Sequence, residues 1–194
     1  MKTILKQMIE KNYQIDISTE AMDMFFNIIE YKKLSKSQTV IKYKEKSSKF
    51  YMLLDGITGS FVQSYDKKSY IRTLYTKGMA FGALSSLIQE NITNASYVCL
   101  TDCEVFEADF NDFKKIIELN NEFQLIYNRV LEDTYIRTEK KFDDICMLNA
   151  KERFLNLNKE IPNISNLLPQ YQIANYLNIT PVQLSRIRKQ LLKE

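Results

Sequence analysis

The sequence predicts a mixed α+β fold in three parts: an N-terminal β jelly roll, a long helix, and a C-terminal helix-turn-helix. Three observations predict it. From Lys32 to Asp109 short β-rich runs follow one another between turn residues. From about Asn121 to Leu148 a helical pattern runs without a Gly or Pro to interrupt it. From Leu167 to Leu192 the stretch LLPQYQIANYLNITPVQLSRIRKQLL has the apolar spacing of two short helices crossing at a tight turn. The expected boundaries are residues 1–120, 121–148 and 149–194.

A chain of 194 residues with 45% hydrophobic residues, 4 Gly and 3 Pro can bury a proper core. No stretch approaches the roughly 20 apolar residues of a membrane span. The start, MKTILKQMIEKNY, is charged throughout and lacks a signal-peptide apolar centre, so a cytoplasmic protein away from the membrane is expected. Cys99, Cys103 and Cys146 form no close metal motif, and their odd number argues against a disulfide framework. Cys99 and Cys103 fall in strand-like segments and are expected to be buried as small apolar residues. There is no His, which removes the commonest metal ligand and the commonest general base. That excludes a histidine-bound haem or metal-dependent barrel enzyme. No metal and no cofactor are expected.

Taken in order, residues 3–13 and 18–30 read as helices. In the second, Ser18 or Thr19 can cap, and Met22, Phe25, Phe26 and Ile29 form an apolar stripe. Strands are expected at Gln38 to Tyr43, Lys49 to Leu54, Ser60 to Tyr65, Tyr70 to Tyr75, Ala95 to Leu100 and Glu104 to Ala108. Asp109 to Asn120 reads as a short capped helix with Phe110, Phe113, Ile116 and Ile117 inward. The long helix that follows carries Phe123, Ile126, Tyr127, Val130, Leu131, Thr134, Thr138, Phe142 and Ile145 on one broad stripe. A helix of that length projects beyond one small domain. Its expected use is to pair with the same helix of a second chain through Phe123, Tyr127, Val130, Leu131, Thr134, Thr138 and Phe142. One side can also lie on the barrel. Asn149 to Lys159 reads as a further helix with Phe154 and Leu155 buried.

In the last stretch Ile173, Leu177, Ile179, Leu184 and Ile187 can meet between the two helices, with the small Ala174 at their closest approach. Asn178 stands at the sharp turn, where a left-handed conformation is needed. Thr180 reads as an N-cap, Pro181 as the first helical residue and Gln183 as the third residue of a capping box. On the second helix Leu184, Ile187 and Leu191 face inward, and Val182, Ser185, Arg186, Lys189 and Lys193 face outward. Such a unit places its second helix in the DNA major groove. Arg186 can fork onto a guanine edge, and the lysines suit phosphates. The expected DNA-binding set is Gln170, Tyr171, Thr180, Val182, Gln183, Ser185, Arg186, Arg188 and Lys189. Charge agrees: residues 149–194 hold 7 Lys or Arg against 3 Glu, leaving 20 basic and 21 acidic residues elsewhere. Double-stranded DNA is therefore the expected partner. The excess is modest, and a dimer would double the contacts.

A helical lead-in, a jelly roll, a long helix and a terminal helix-turn-helix together resemble the Crp/Fnr family of bacterial transcription regulators. The most specific part is QIANYLNITPVQLSRIRKQL, above all Leu184-Ser185-Arg186-Ile187. Phe50 to Gly56 resembles the family's strand and glycine hairpin. Gly78 and Phe81-Gly82 resemble the opening of its effector cassette, and Cys103-Glu104-Val105 the strand that closes it. The resemblance implies a cyclic-nucleotide-binding-like barrel, an effector pocket at Phe81, Gly82, Ala83, Leu84, Thr93 and Asn94, a homodimer, and RNA polymerase as a partner. It implies no enzyme.

The departures from the family are informative. Members that bind cyclic nucleotides carry a Glu after the cassette glycine and an Arg about ten residues on. Here Gly82 is followed by Ala83, and the Arg position falls on Thr93 or Asn94. No Lys or Arg occurs between Gly82 and Asp109. A buried phosphate without a cationic partner is heavily penalised, so the cassette is not expected to bind cyclic AMP in the usual way, and the effector is unidentified. The N-terminal iron–sulfur cysteines of the Fnr branch are missing. Many relatives have Glu where Val182 stands, so a different base preference is expected. The family's β-hairpin wing has no clear counterpart in Ile161 to Gln170. Two other readings stay open: a barrel enzyme or small-molecule carrier whose C-terminal helices serve assembly, and a cyclic-nucleotide-responsive regulator with a non-standard pocket.

Overall fold

Strands buried on both faces read as continuous apolar runs, and FYMLL in the third strand is the key example. Tyr51 and Leu53 turn one way into an inter-sheet core, while Phe50 and Met52 turn the other way under helices. A computed structural model describes residues 1–192. The element order is α1 (Lys2–Tyr13), α2 (Thr19–Phe26), β1 (Ile29–Leu34), β2 (Thr39–Ile41), β3 (Lys49–Asp55), β4 (Thr58–Gln63), β5 (Ser69–Tyr75), β6 (Ala80–Gly82), α3 (Leu84–Gln89), β7 (Ala95–Cys99) and β8 (Cys103–Asp109). There follow α4 (Phe110–Leu119), α5 (Asn121–Met147), α6 (Ala150–Glu160), α7 (Ile164–Leu167), α8 (Gln170–Tyr176) and α9 (Pro181–Leu191).

The strands form two antiparallel four-stranded sheets, ordered β1-β8-β3-β6 and β2-β7-β4-β5. Leu34, Tyr51, Leu53, Phe81, Tyr97, Cys99, Cys103 and Val105 fill the space between them. Cys99 and Cys103 are buried there, as expected, and Cys146 is exposed. At the β3–β4 hairpin Gly56 has φ +93°, and a Cβ there would collide with the Asp102 carbonyl. The outer face of the first sheet is covered by α1, α2, α4 and the first half of α5. Phe25, Phe50, Phe113 and Phe123 pack ring on ring there, Phe50 to Phe113 at 4.8 Å and Phe25 to Phe123 at 5.0 Å.

Three expectations are corrected. The second helix stops at Phe26, and Ile29 lies in β1, paired with Ala108. Helical periodicity over residues 18–30 lost to a six-residue ladder on β8, a tertiary effect that no local pattern carries. Ala80–Gly82, read only as part of the opening of the effector cassette, forms β6, a short edge strand on β3. In α6 the buried pair is Phe154 and Leu157, while Leu155 is 38% exposed. The Ser18 cap agrees with expectation, its side chain accepting from Ala21 N, and Asp109 caps the short helix by accepting from Asn111 N; Asn120, read as the end of that helix, caps the next one by accepting from Phe123 N.

The C-terminal helices do not stand apart from the barrel. Phe154, Leu157, Ile164, Leu168, Ile173, Leu177 and Leu184 share one apolar cluster with Ile57, Ile71, Leu74 and Leu100 of the second sheet. No helix among the described residues is long and apolar enough to cross a membrane.

Candidate nucleic-acid interface and effector region

The helix-turn-helix is built as its residues dictate. Ile173 and Ala174 on α8 and Leu184 on α9 are fully buried, and Leu177 is nearly so. Asn178 takes the left-handed conformation at φ 56°, and the Ile179 N–H donates to the Ala174 carbonyl at 3.0 Å to close the turn. The Thr180 hydroxyl accepts from Gln183 N at 3.1 Å and the Gln183 side chain accepts from Thr180 N at 2.9 Å, a complete capping box with Pro181 at the first helical position. Gln170 Nε2 donates to the Pro181 carbonyl at 2.6 Å, clasping the start of one helix to the start of the other. Of the residues expected to meet DNA, Gln170, Thr180 and Gln183 therefore also hold the motif together.

Gln170, Pro181, Val182, Ser185, Arg186 and Lys189 line a shallow cleft on the outer side of α9. Val182 is 61% and Tyr171 62% exposed; Arg186 and Lys189 are exposed and Arg188 is half-buried at the flank. No ion pair among the described residues takes up Arg186, Arg188 or Lys189. Arg186 and Lys189 on one helix thus face solvent without an ion-pair partner among the described residues. Lys193, also expected on this face, lies outside the described residues. Between α6 and α8 the chain forms the short helix α7 and no β-hairpin wing.

Two side chains that sequence reading passed over tie this unit to the barrel. The Asn175 amide accepts from Ile71 N at 2.5 Å and donates to the Ser69 carbonyl at 2.7 Å, so α8 caps the edge strand β5 as a neighbouring strand would. Lys141 of α5 donates to the Arg72 carbonyl at 2.6 Å and lies 3.7 Å above the Tyr176 ring. Burial, and then the charge of Arg72, bring the Lys141 ammonium down to a pKa of about 8. An Asn in a helix and a Lys in a charged helix carry no mark of such roles in one dimension.

The six expected effector-pocket positions separate. Phe81 and Ala83 are buried between the sheets, although Phe81 also reaches a neighbouring cavity with Gly82 and Leu84. Thr93 is 2% exposed and its hydroxyl closes on the Ala95 backbone. Asn94 is exposed. Between the sheets Tyr51 stacks on Phe81 at 5.1 Å and Phe81 on Tyr97 at 6.1 Å, while the Tyr97 hydroxyl donates to the Gly82 carbonyl at 2.7 Å. The nearest guanidinium comes from another strand: Arg72 on β5 donates to the Tyr97 hydroxyl at 3.3 Å. Among the described residues no three His, Cys, Asp or Glu are grouped to hold a metal ion.

The expected pairing stripe on α5 also separates. Phe123 is 1% exposed, and Tyr127 and Val130 pack on the chain's own barrel core, so these three face inward. Thr134, Thr138 and Phe142 are exposed and Leu131 is half-exposed. With Tyr135 and Ile145, exposed by 67% and 46%, the residues Leu131, Tyr135, Thr138, Phe142 and Ile145 recur at alternating four- and three-residue intervals, a coiled-coil seam.

A jelly roll of two four-stranded sheets, a long connecting helix and a terminal helix-turn-helix define a two-part architecture, a barrel joined to a helix-turn-helix unit. Residues 31–120 match the cyclic nucleotide-binding domain family. The chain is 22% identical over 142 residues to the cAMP-activated global transcriptional regulator CRP of Pasteurella multocida, covering 71% of this chain and 68% of that one. FixK2 from Bradyrhizobium japonicum superposes with a TM-score of 0.72 at 15% identity, over 86% of this chain and 85% of that one. The c-di-GMP-responsive global regulator CLP of Xanthomonas campestris superposes with a TM-score of 0.71 at 12% identity, over 91% and 92%. Residues 31–120 thus carry a cyclic nucleotide-binding domain, and the chain as a whole has the fold of Crp/Fnr-type regulators.

Proposed function

We propose that this protein is a sequence-specific, DNA-binding transcription regulator that acts as a homodimer in the cytoplasm and is not an enzyme. The observation that carries the reading is α9: a correctly capped helix on a buried three-residue core, whose outer cleft is lined by Ser185, Arg186 and Lys189, the last two without an ion-pair partner among the described residues. In this docking geometry the first two turns reach base edges and later residues reach phosphates. Arg186 is assigned to a guanine edge, Val182 to a thymine methyl, and Arg188 and Lys189 to the backbone. Residues 1–120 form the sensing barrel, 121–148 the pairing helix and 149–194 the DNA-binding part. RNA polymerase is the partner through which bound protein acts on transcription.

The seam on α5 from Leu131 to Ile145 holds the dimer, because operator half-sites repeat by the helical turn and a two-fold reader matches them. The barrel does not use the family's cyclic-nucleotide ion pair. Selection from a random DNA library with the purified protein, followed by affinity across a salt series, tests the reading. The expected result is an inverted-repeat site bound on the order of a thousandfold more tightly than scrambled DNA. Protein that retards no DNA at low salt would overturn it. Phe142→Glu is expected to give monomers in sedimentation and to weaken site binding; a variant that stays dimeric would move the interface elsewhere. Cyclic AMP at millimolar concentration is expected to leave the melting temperature and DNA affinity unchanged.

A further inference from the structure

Between the outer face of the first sheet and the first half of α5 lies a cavity of about 110 Å³. Its walls come from β3 (Phe50), β6 and α3 (Phe81, Leu87), α4 (Phe113) and α5 (Ile126, Val130). No charged side chain lines it, and its polar groups are three hydroxyls, of Tyr75, Tyr127 and Thr134. The Thr134 hydroxyl already donates to the Val130 carbonyl at 2.7 Å. Phe110, Phe113, Phe123 and Ile126 at the back are all under a tenth exposed.

We infer that this cavity is a binding site for a small, uncharged, aromatic or alkyl molecule, and that this molecule is the effector of the regulator proposed above. Size and chemistry select the occupant. An apolar cavity of roughly 150 Å³ stays dry and takes up benzene, and this one is of the same order. An ionised group would lose its hydration with no opposite charge to replace it. A second copy's helix, about 10 Å across with its side chains, is far too large to enter, and the outward seam on α5 offers it a better surface. The cavity also has a route to the assembly. Leu131 lines it and belongs to the seam, and Val130 and Thr134 line it on the same turn of α5, so an occupant presses on the helix through which two chains would pair. Only this last step rests on the regulator reading; occupancy itself does not.

The test is a titration of the full chain with toluene, followed through methyl carbon–proton NMR, with benzoate as the charged counterpart of equal shape. Saturable shifts are expected at the methyls of Leu84, Leu87, Ile126 and Val130, with benzoate at least tenfold weaker. Leu84→Phe and Val130→Phe, which fill the space, are expected to raise the toluene Kd at least tenfold with the melting temperature maintained. Ile88→Phe, on the exposed side of the same helix α3, is expected to leave it unchanged. Absence of saturation, equal affinity for benzoate, or binding unchanged in a folded filling variant would each overturn the site. Toluene binding that vanishes as rising protein concentration drives dimer formation would give the cavity to a partner side chain and overturn it too. If toluene binds as expected but leaves sedimentation and DNA affinity unmoved, the site stands and its role as effector pocket fails. The outcomes that test occupancy do not depend on whether α9 binds DNA; only the effector role does.

Discussion

The helix-turn-helix and the barrel cassette of this chain differ in what they present: exposed cations on one, stacked aromatic rings in the other. At α8 and α9 the turn Asn178, the Thr180–Gln183 box, the buried Leu184 and the outward Arg186 and Lys189 are all in register. At the cassette, Ala83 and Thr93 are buried without charge, and Phe81, Tyr97 and Tyr51 stack through the space between the sheets. A DNA surface is the same polyanion for every regulator, so the residues that meet it are constrained by one chemistry. An effector pocket answers to whichever molecule is sensed, and its polar groups can be exchanged for apolar ones while the strand ladders persist. The exposed cations of α9 and the stacked rings between the sheets therefore answer to different chemistry.

The largest expected effect probes how far the two halves are one structure. Leu184 is fully buried in a cluster that also contains Ile71 and Leu74 of the barrel. Leu184→Ala is expected to lower stability by about 3 kcal/mol in chemical denaturation, as a single transition that carries both halves. Two separated transitions, with only the helical one shifted, would make the halves independent and break the coupling.

Next comes the reading of bases. Arg186→Ala is expected to cost about 1–3 kcal/mol at the selected site and to relax base choice there. Lys189→Ala is expected to weaken all DNA alike and lower the salt slope by about one. Equal losses for selected and scrambled DNA in the Arg186 variant would make that residue a phosphate contact, leaving the outward face without the base readout assigned to it.

The joint between the halves gives a pH test. Lys141 has a folded pKa of about 8, below its ordinary 10.5. Between these values the unfolded chain holds a proton that the folded chain has released, so stability rises with pH through that window. Below pH 8 the burden of burying the cation is felt in full. The wild-type melting temperature, relative to that of Lys141→Met, is expected to climb from pH 8 to 10, by no more than about 2 kcal/mol in stability. Parallel curves would show that hydrogen bonds to the β5 carbonyls and the Tyr176 ring already compensate the buried charge. The smallest effect is local: Thr180→Ala is expected to cost about 1 kcal/mol, seen in denaturation, with toluene binding at the barrel untouched.

Much of this architecture could be read along the chain because its determinants are short in range. The capping box is made by residues three apart, the αL turn by one Asn, and the helix faces by a 3.6-residue period. Strands β3, β5, β7 and β8 announced themselves by β-rich runs between turn residues. The uninterrupted run after Asn121 defined α5, though not which of its residues face the barrel. Everything else needed contacts between residues far apart in sequence. Ile29 became a strand residue because β8 offered it a ladder. The pairing stripe lost Phe123, Tyr127 and Val130 to the barrel because Phe25 and Phe113 stand where those side chains point. Asn175 and Lys141 acquired their partners from strand β5, 104 and 69 residues away. The apolar cavity has no contiguous signature at all, since its walls come from eight elements of the barrel and its covering helices. Periodicity and capping are properties of neighbours along the chain, and packing is a property of neighbours in space, which only the folded structure decides.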